Sequence, residues 1–153
     1  MNTKYEFVPG DEIVIAPGRT LKRIRALVAI AALGITPGAL GGYVESEKCL
    51  DVYGNAWVSG NAQVYGNAQV SGNAWVSGVG LICWFTGVGS ESGTLTVCNA
   101  KDNTIQVTRG CFIGSIDEFL EASAKKHCER IQLEYLMLIE VAVSRITAAR
   151  EAA

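Results

Sequence analysis

From Val52 to Gly78 apolar and polar positions recur every six residues, reading VYGNAW, VSGNAQ, VYGNAQ, VSGNAW, VSG. Val stands at 52, 58, 64, 70 and 76, Gly at 54, 60, 66, 72 and 78, Asn at 55, 61, 67 and 73, and Ala at 56, 62, 68 and 74. A short fixed period marks one small unit stacked on itself, a solenoid. Written Ala-x-Val-x-Gly-Asn, the unit alternates sides as a strand does, so Ala and Val face inward and the residue between them outward. Gly and Asn both tolerate the backbone angles of a tight corner. The pattern predicts short strands joined by sharp bends, with Trp57, Gln63, Gln69 and Trp75 pointing out.

Outside the repeat the patterning changes. Tyr5–Val8 and Glu12–Ile15 read as short strands, broken by Pro9-Gly10 and Pro17-Gly18. Arg19–Leu27 reads both ways: Leu21, Ile24 and Val28 have helical spacing, while Leu21, Arg23 and Arg25 would share one face of a strand. Thr94–Val97 and Ile105–Thr108, joined by the polar turn Asn99–Asn103, predict a β-hairpin. Ser115 and Glu118 have the spacing of a capping box, which opens a helix running to about His127. A second helix is expected over about Arg130–Arg150. Its middle, Tyr135, Leu136, Met137, Leu138 and Ile139, is apolar on nearly every side, which argues for packing against other subunits.

The six-residue unit resembles the hexapeptide repeat of left-handed parallel β-helix proteins. In that family three units make one triangular coil of eighteen residues. The resemblance implies that Val52, Val70 and Val88 stack inside, as do Val64 and Ile82, and that the repeat extends back through Leu40–Leu50 and forward through Ile82 and Val88. It also puts Trp57 and Trp75 on the same outer wall. Such a wall is covered by another part of the chain or by a neighbouring subunit, or it forms a binding platform.

Nearly the whole chain resembles a group of small hexapeptide-repeat proteins encoded by phages and prophages. The resemblance rests on Gly18-Arg-Thr-Leu-Lys-Arg-Ile-Arg-Ala-Leu27, Leu40-Gly-Gly-Tyr-Val-Glu45, Val107-Thr-Arg-Gly-Cys-Phe-Ile-Gly114 and Ser115-Ile-Asp-Glu-Phe119. It implies that Arg19–Leu27 is a strand and that the protein is a phage accessory factor, a kind often found to inhibit bacterial defence. The chain departs from the group in the apolar run Val28–Ile35, where charged residues are expected. The expected fold is mainly β with C-terminal helices. A β-rich N-terminal cap (1–39) leads into a short left-handed parallel β-helix (40–93), followed by a hairpin and two helices (94–153).

Composition narrows the function. A formal net charge of −2 with 49% apolar residues argues against bulk nucleic-acid binding. Cys49, Cys83, Cys98, Cys111 and Cys128 are odd in number and lack CxxC spacing, so reduced, mostly buried thiols are expected and no zinc site. Lys22, Arg23 and Arg25 before Ala26–Ile35 imitate a secretory leader, but the run is too short to span a membrane and follows Glu6, Asp11 and Glu12. The expected location is the cytosol of a bacterial host.

The candidate chemistry is sparse. Acyltransferases of the β-helix class use a histidine at a subunit interface of the coil, whereas His127, the only histidine, lies far from the coils in sequence. At a helix C-terminus it is simplest as a dipole partner. A Cys–His pair would need Cys111, because His127 and Cys128 are adjacent and would not face each other on a helix. Arg19, Lys22, Arg23 and Arg25 form the one basic cluster, read either as a solvated face or as a site for a nucleotide, phosphate or acidic partner. With Tyr53, Trp57, Tyr65 and Trp75 they make up the candidate binding set. The reading that follows is non-enzymatic binding by a homo-oligomer, expected to be a trimer, without cofactor, metal or membrane. Its partner would be a host protein or a small anionic signalling molecule. An acyltransferase and a purely structural assembly module are the alternatives.

Overall fold

In a computed structural model, which describes residues 2–152, the chain is mainly β with two C-terminal helices. Strand β1 (Tyr5–Ala16) turns at Pro17-Gly18 into β2 (Arg19–Ala26), and the two pair antiparallel. Pro9-Gly10 does not break β1 into two strands, as its sequence suggests. It forms a bulge, with Phe7 opposite Ile24 and Glu12 opposite Lys22. A bulge needs no ladder N–H from Pro9, and Gly10 takes a positive φ of 81°. The ambiguous segment from Arg19 is a strand, with Leu21 and Ile24 buried. Of the apolar run that follows, Val28 is exposed, and Ile30 and Ile35 bridge around a short 3-10 turn at Ala31–Leu33.

Strand β3 (Leu40–Val44) pairs antiparallel with β2 on one edge and parallel with β5 on the other. There the repeat begins to coil. Strands β4 (Trp57–Val58), β5 (Gln63–Val64) and β6 (Trp75–Val76) are two residues each. Three parallel pairings join successive turns: Val44 with Val64, Leu50 with Val70, and Val58 with Val76. Ala56, Ala62, Ala68 and Ala74 and Val58, Val64, Val70 and Val76 are all buried, and Gln63 and Gln69 are exposed, as the alternation requires. The corner glycines Gly54, Gly60, Gly66 and Gly72 hold φ between 60 and 71°, a region that costs an L-residue with a side chain about 1 kcal/mol or more.

Two parts of the expected stacking change. Val52 does not lie over Val70. Leu50 takes that place, because one side of the first turn uses eight residues from Leu50 to Val58 where the same side of the second uses six from Val70 to Val76. The surplus residues bulge outward at the corner, leaving Val52 half-buried and Tyr53 exposed.

The forward extension also fails. Ile82 and Val88 do not stack on Val64 and Val70. They belong to β7 (Ile82–Val88), which pairs antiparallel with β8 (Gly93–Asn99), Ile82 opposite Cys98. No Gly-Asn corner interrupts Ile82–Phe85, so the chain runs straight and returns as a hairpin. Strands β9 (Ile105–Arg109) and β10 (Phe112–Gly114) complete a sheet of order β10-β9-β8-β7, which contains the hairpin expected around Asn99–Asn103.

This sheet caps the coil. A solenoid's last turn leaves backbone groups open, and capping elements must satisfy them. Here buried side chains do so. Gln106 accepts from the Asn73 amide at 3.0 Å and donates to the Ser71 carbonyl at 2.7 Å. Asn99 donates to the Trp75 carbonyl at 3.1 Å, and Thr96 accepts from the Gln69 amide at 3.2 Å. The opposite end is closed by β2 alongside β3.

Helix α1 (Ile116–Lys126) opens with the expected capping box, Ser115 and Glu118 each bonding the other's backbone amide, and ends at His127. Helix α2 (Glu129–Ala152) lays Ile131, Tyr135, Ile139, Ala142 and Ile146 against β7, β8 and α1. Buried residues from the N-terminal strands, the coil and the helices join one hydrophobic core. No helix among the described residues is long and apolar enough to cross a membrane.

Candidate functional site

The two indoles share a wall, as expected. Trp57 and Trp75 pair directly across adjacent parallel strands. Only one of them is available. Trp57 is fully buried, with Tyr5 of β1 packed edge-on at 6.4 Å between ring centres. The N-terminal strand therefore covers the wall at Trp57, and Trp57 presents no surface to a partner. Trp75 is half-buried and donates its indole N–H to Ser59 at 3.2 Å. Tyr53 is 72% exposed at the enlarged corner. Tyr65 is half-buried between Trp84, at 4.8 Å, and the guanidinium of Arg19, at 5.2 Å.

The three arginines of the basic strand are internally neutralised. Arg19 pairs with Glu45 at 2.9 Å, Arg23 with Asp11 at 2.9 Å and Arg25 with Glu6 at 2.6 Å. Arg23 also donates to the Gly41 carbonyl at 2.7 Å and to the Tyr43 hydroxyl at 2.7 Å. Lys22 is exposed over the ring of Phe7. The arginines fasten β2 to β1 and β3, so an incoming anion would have to displace carboxylates already held in place.

Helix α2 is not covered evenly. Tyr135 and Ile139, expected at an oligomer interface, are 1% and 2% exposed and pack inside this chain. Leu138 is half-buried. Leu136 and Met137 do face outward, and Leu133 and Val141 join them. Residues three and four apart lie on one helix face, so these four form an apolar stripe opposite the buried one. The spacing of Leu133 and Val141 to the central residues was the signal in the sequence that would have separated the two stripes.

The last location brings together residues from distant segments. A cleft of about 410 Å³ lies between the β9–β10 turn, the β7–β8 turn and the two helices. Cys111 and His127 both line it, with Arg109, Phe112, Phe119 and Tyr135. His127 accepts or donates at Nδ1 to Ser123 Oγ at 3.2 Å, and its ring lies 5.6 Å from that of Tyr135. This histidine sits where α1 ends, at the helical end of the chain. Sequence reasoning missed Arg109, Phe112 and Phe119, because nothing local marks them as neighbours of His127.

The thiols divide by burial. Cys49 and Cys98 are buried and Cys83 is half-buried, but Cys111 and Cys128 are exposed, so the expectation of mostly buried thiols holds for only part of the set. Burial raises the thiols of Cys49 and Cys83 and pushes Cys98 up to about 12. Among the described residues no group of His, Cys, Asp and Glu is placed to hold a metal ion. No protein-family model matches this chain, and no match was found among the curated proteins or the solved structures.

Proposed function

We propose that this protein acts by binding rather than by catalysis, as a self-associating accessory factor built on a short left-handed β-helix. Parallel turns of eighteen and twenty residues, with tight corners at Gly54, Gly60, Gly66 and Gly72, support a coil, and the resemblance of the repeat to the hexapeptide unit supports its left hand. The observation that carries the binding reading is the outer stripe of α2. Leu133, Leu136, Met137 and Val141 are 54, 37, 52 and 49% exposed, and large apolar side chains gathered on one exposed face are normally covered. A second copy of the chain is the favoured cover. Glu140 and Arg145 lie on the same outer face, within four residues of Met137 and Val141, and would answer each other between neighbouring copies in the oligomer.

The resemblance to hexapeptide-repeat proteins supports a trimer, and the resemblance to phage and prophage proteins supports a factor in a bacterial host's cytosol that blocks a component of host defence. The alternative, capture of a small anionic signal on β2, is weakened by the carboxylate partners of Arg19, Arg23 and Arg25. Sedimentation velocity tests self-association. The native chain should sediment as an oligomer and the Leu136→Glu, Met137→Glu double variant as a folded monomer; a native monomer would overturn the reading. Expression in a defended bacterium tests the biology: phage plating should recover, and the double variant should not restore it.

A further inference from the structure

We propose that the cleft between the β9–β10 turn and the two helices binds a small organic anion that carries a flat ring, with Arg109 holding its anionic group. The inference does not depend on self-association.

Three features converge on this ligand class. The first is the state of Arg109. Its Nε donates to the Tyr135 hydroxyl at 3.1 Å, and it makes no ion pair among the described residues. Its two terminal amino groups have no hydrogen-bond acceptor among the described residues. The guanidinium lies flat over Gly93, where an added Cβ would fall 2.7 Å from its central carbon. A guanidinium fixed at one nitrogen and open at two is set for a bidentate bond to a carboxylate or phosphate. The contrast with β2 is direct, since the three arginines there already hold carboxylates.

The second feature is the aromatic lining. Phe112 meets Phe119 edge-on at 5.3 Å, and Phe119 meets Tyr135 edge-on at 5.0 Å. His127 continues the series against Tyr135. Phe119 and Tyr135 are almost fully buried, so the ring open to a ligand is that of the half-buried Phe112, which the other two hold in place. The third feature is size, since small-molecule sites commonly span about 300–1,000 Å³ and this cleft falls in that range.

Electrostatics orient the ligand. Lys126 also lines the cleft, but as an exposed, flexible cation at the C-terminal end of α1, where the helix dipole opposes its pull on an anion. Glu91 also borders the cleft. The anionic group therefore belongs at Arg109, with the ring directed toward Phe112.

Amide-resolved NMR titration of the full chain tests this with benzoate, phenyl phosphate and adenosine 5′-monophosphate as whole probes. Inorganic phosphate and phenol serve as half-probes. At least one whole probe should move the amides of Gly110, Cys111, Ser123 and His127 with a Kd below about 1 mM, and each half-probe should bind about tenfold more weakly or worse. Arg109→Gln should weaken binding about tenfold. Ala122→Trp, a change at an exposed cleft position, should fill the space and abolish binding while distant amides keep their shifts. The proposal is overturned if no whole probe moves these amides, if the amides that move belong to Arg19–Arg25, or if Ala122→Trp binds as the native chain does. Should Arg109→Gln fail to fold, the Ala122→Trp result decides alone. The Leu136→Glu, Met137→Glu chain should bind the same probe unchanged, which separates this site from the self-association surface.

Discussion

Arg150, near the end of α2, donates through Nε and Nη2 to a single oxygen of Asn99, at 2.9 and 2.6 Å. The same Asn99 is fully buried and donates its amide to the Trp75 carbonyl on the last turn of the coil. One side chain thus joins the helical end of the chain to the open edge of the repeat. Hydrogen bonds to a charged group contribute about 1.5–3 kcal/mol, and an orphaned buried partner costs about as much again. Asn99→Ala should therefore destabilise more than Arg150→Ala, which leaves Asn99 free to reach water. Urea unfolding of both single variants and the double variant should give a coupling of about 1 kcal/mol or more.

Glycines at two places in the coil serve different physical needs. Gly54 turns a corner with φ at 71° and open space around it. Gly42 lies inside, where a Cβ would fall 2.7 Å from the Ala62 carbonyl oxygen and from Val58 Cγ1. Gly54→Ala should cost about 1 kcal/mol from backbone strain alone. Gly42→Ala meets backbone that cannot swing aside and should cost about 2–3 kcal/mol. Equal losses in a denaturant series would contradict the close approach of β3 to the coil.

Trp57 is buried with its indole N–H unpartnered. An unmade hydrogen bond of this kind costs about 1–3 kcal/mol, so Trp57→Phe removes a penalty along with some contact area. We expect Trp57→Phe to change stability by less than about 1.5 kcal/mol, and Trp57→Ala to lose about 3–5 kcal/mol. Thermal unfolding would separate them; similar losses from both would mean that the indole nitrogen has a partner.

Alkaline pH should weaken the fold through Cys98. Burial raises its thiol from 9.0 to about 12. The folded chain then keeps a proton that the unfolded chain releases, so this contribution is complete below pH 9 and fades as pH rises toward 12. Lys4 acts in the opposite sense. Burial, partly offset by Asp51, lowers its ammonium from 10.5 to about 8, so the folded state gains stability between those values. Cys98→Ala should be less stable than the native chain by about 1 kcal/mol near pH 8, and the gap should narrow by about pH 10.5. A constant gap across that range in urea titrations would refute a buried protonated thiol.

The features readable in the chain itself are those set by near neighbours. The inward Val and Ala, the left-handed corner glycines, the Asn99–Asn103 hairpin turn and the Ser115 capping box each follow from a local period or a local backbone preference. Tertiary structure decided everything that depends on contact across the sequence. The enlarged corner puts Leu50 rather than Val52 over Val70, and β7 joins the capping sheet instead of the coil. Tyr5 closes over Trp57, and carboxylates from β1 and the start of the coil neutralise the three arginines of β2. The cleft around Arg109 gathers residues from turns and helices that carry no shared spacing. A six-residue rhythm specifies how one turn follows the next, but it holds no information about which distant side chains will come to rest against it.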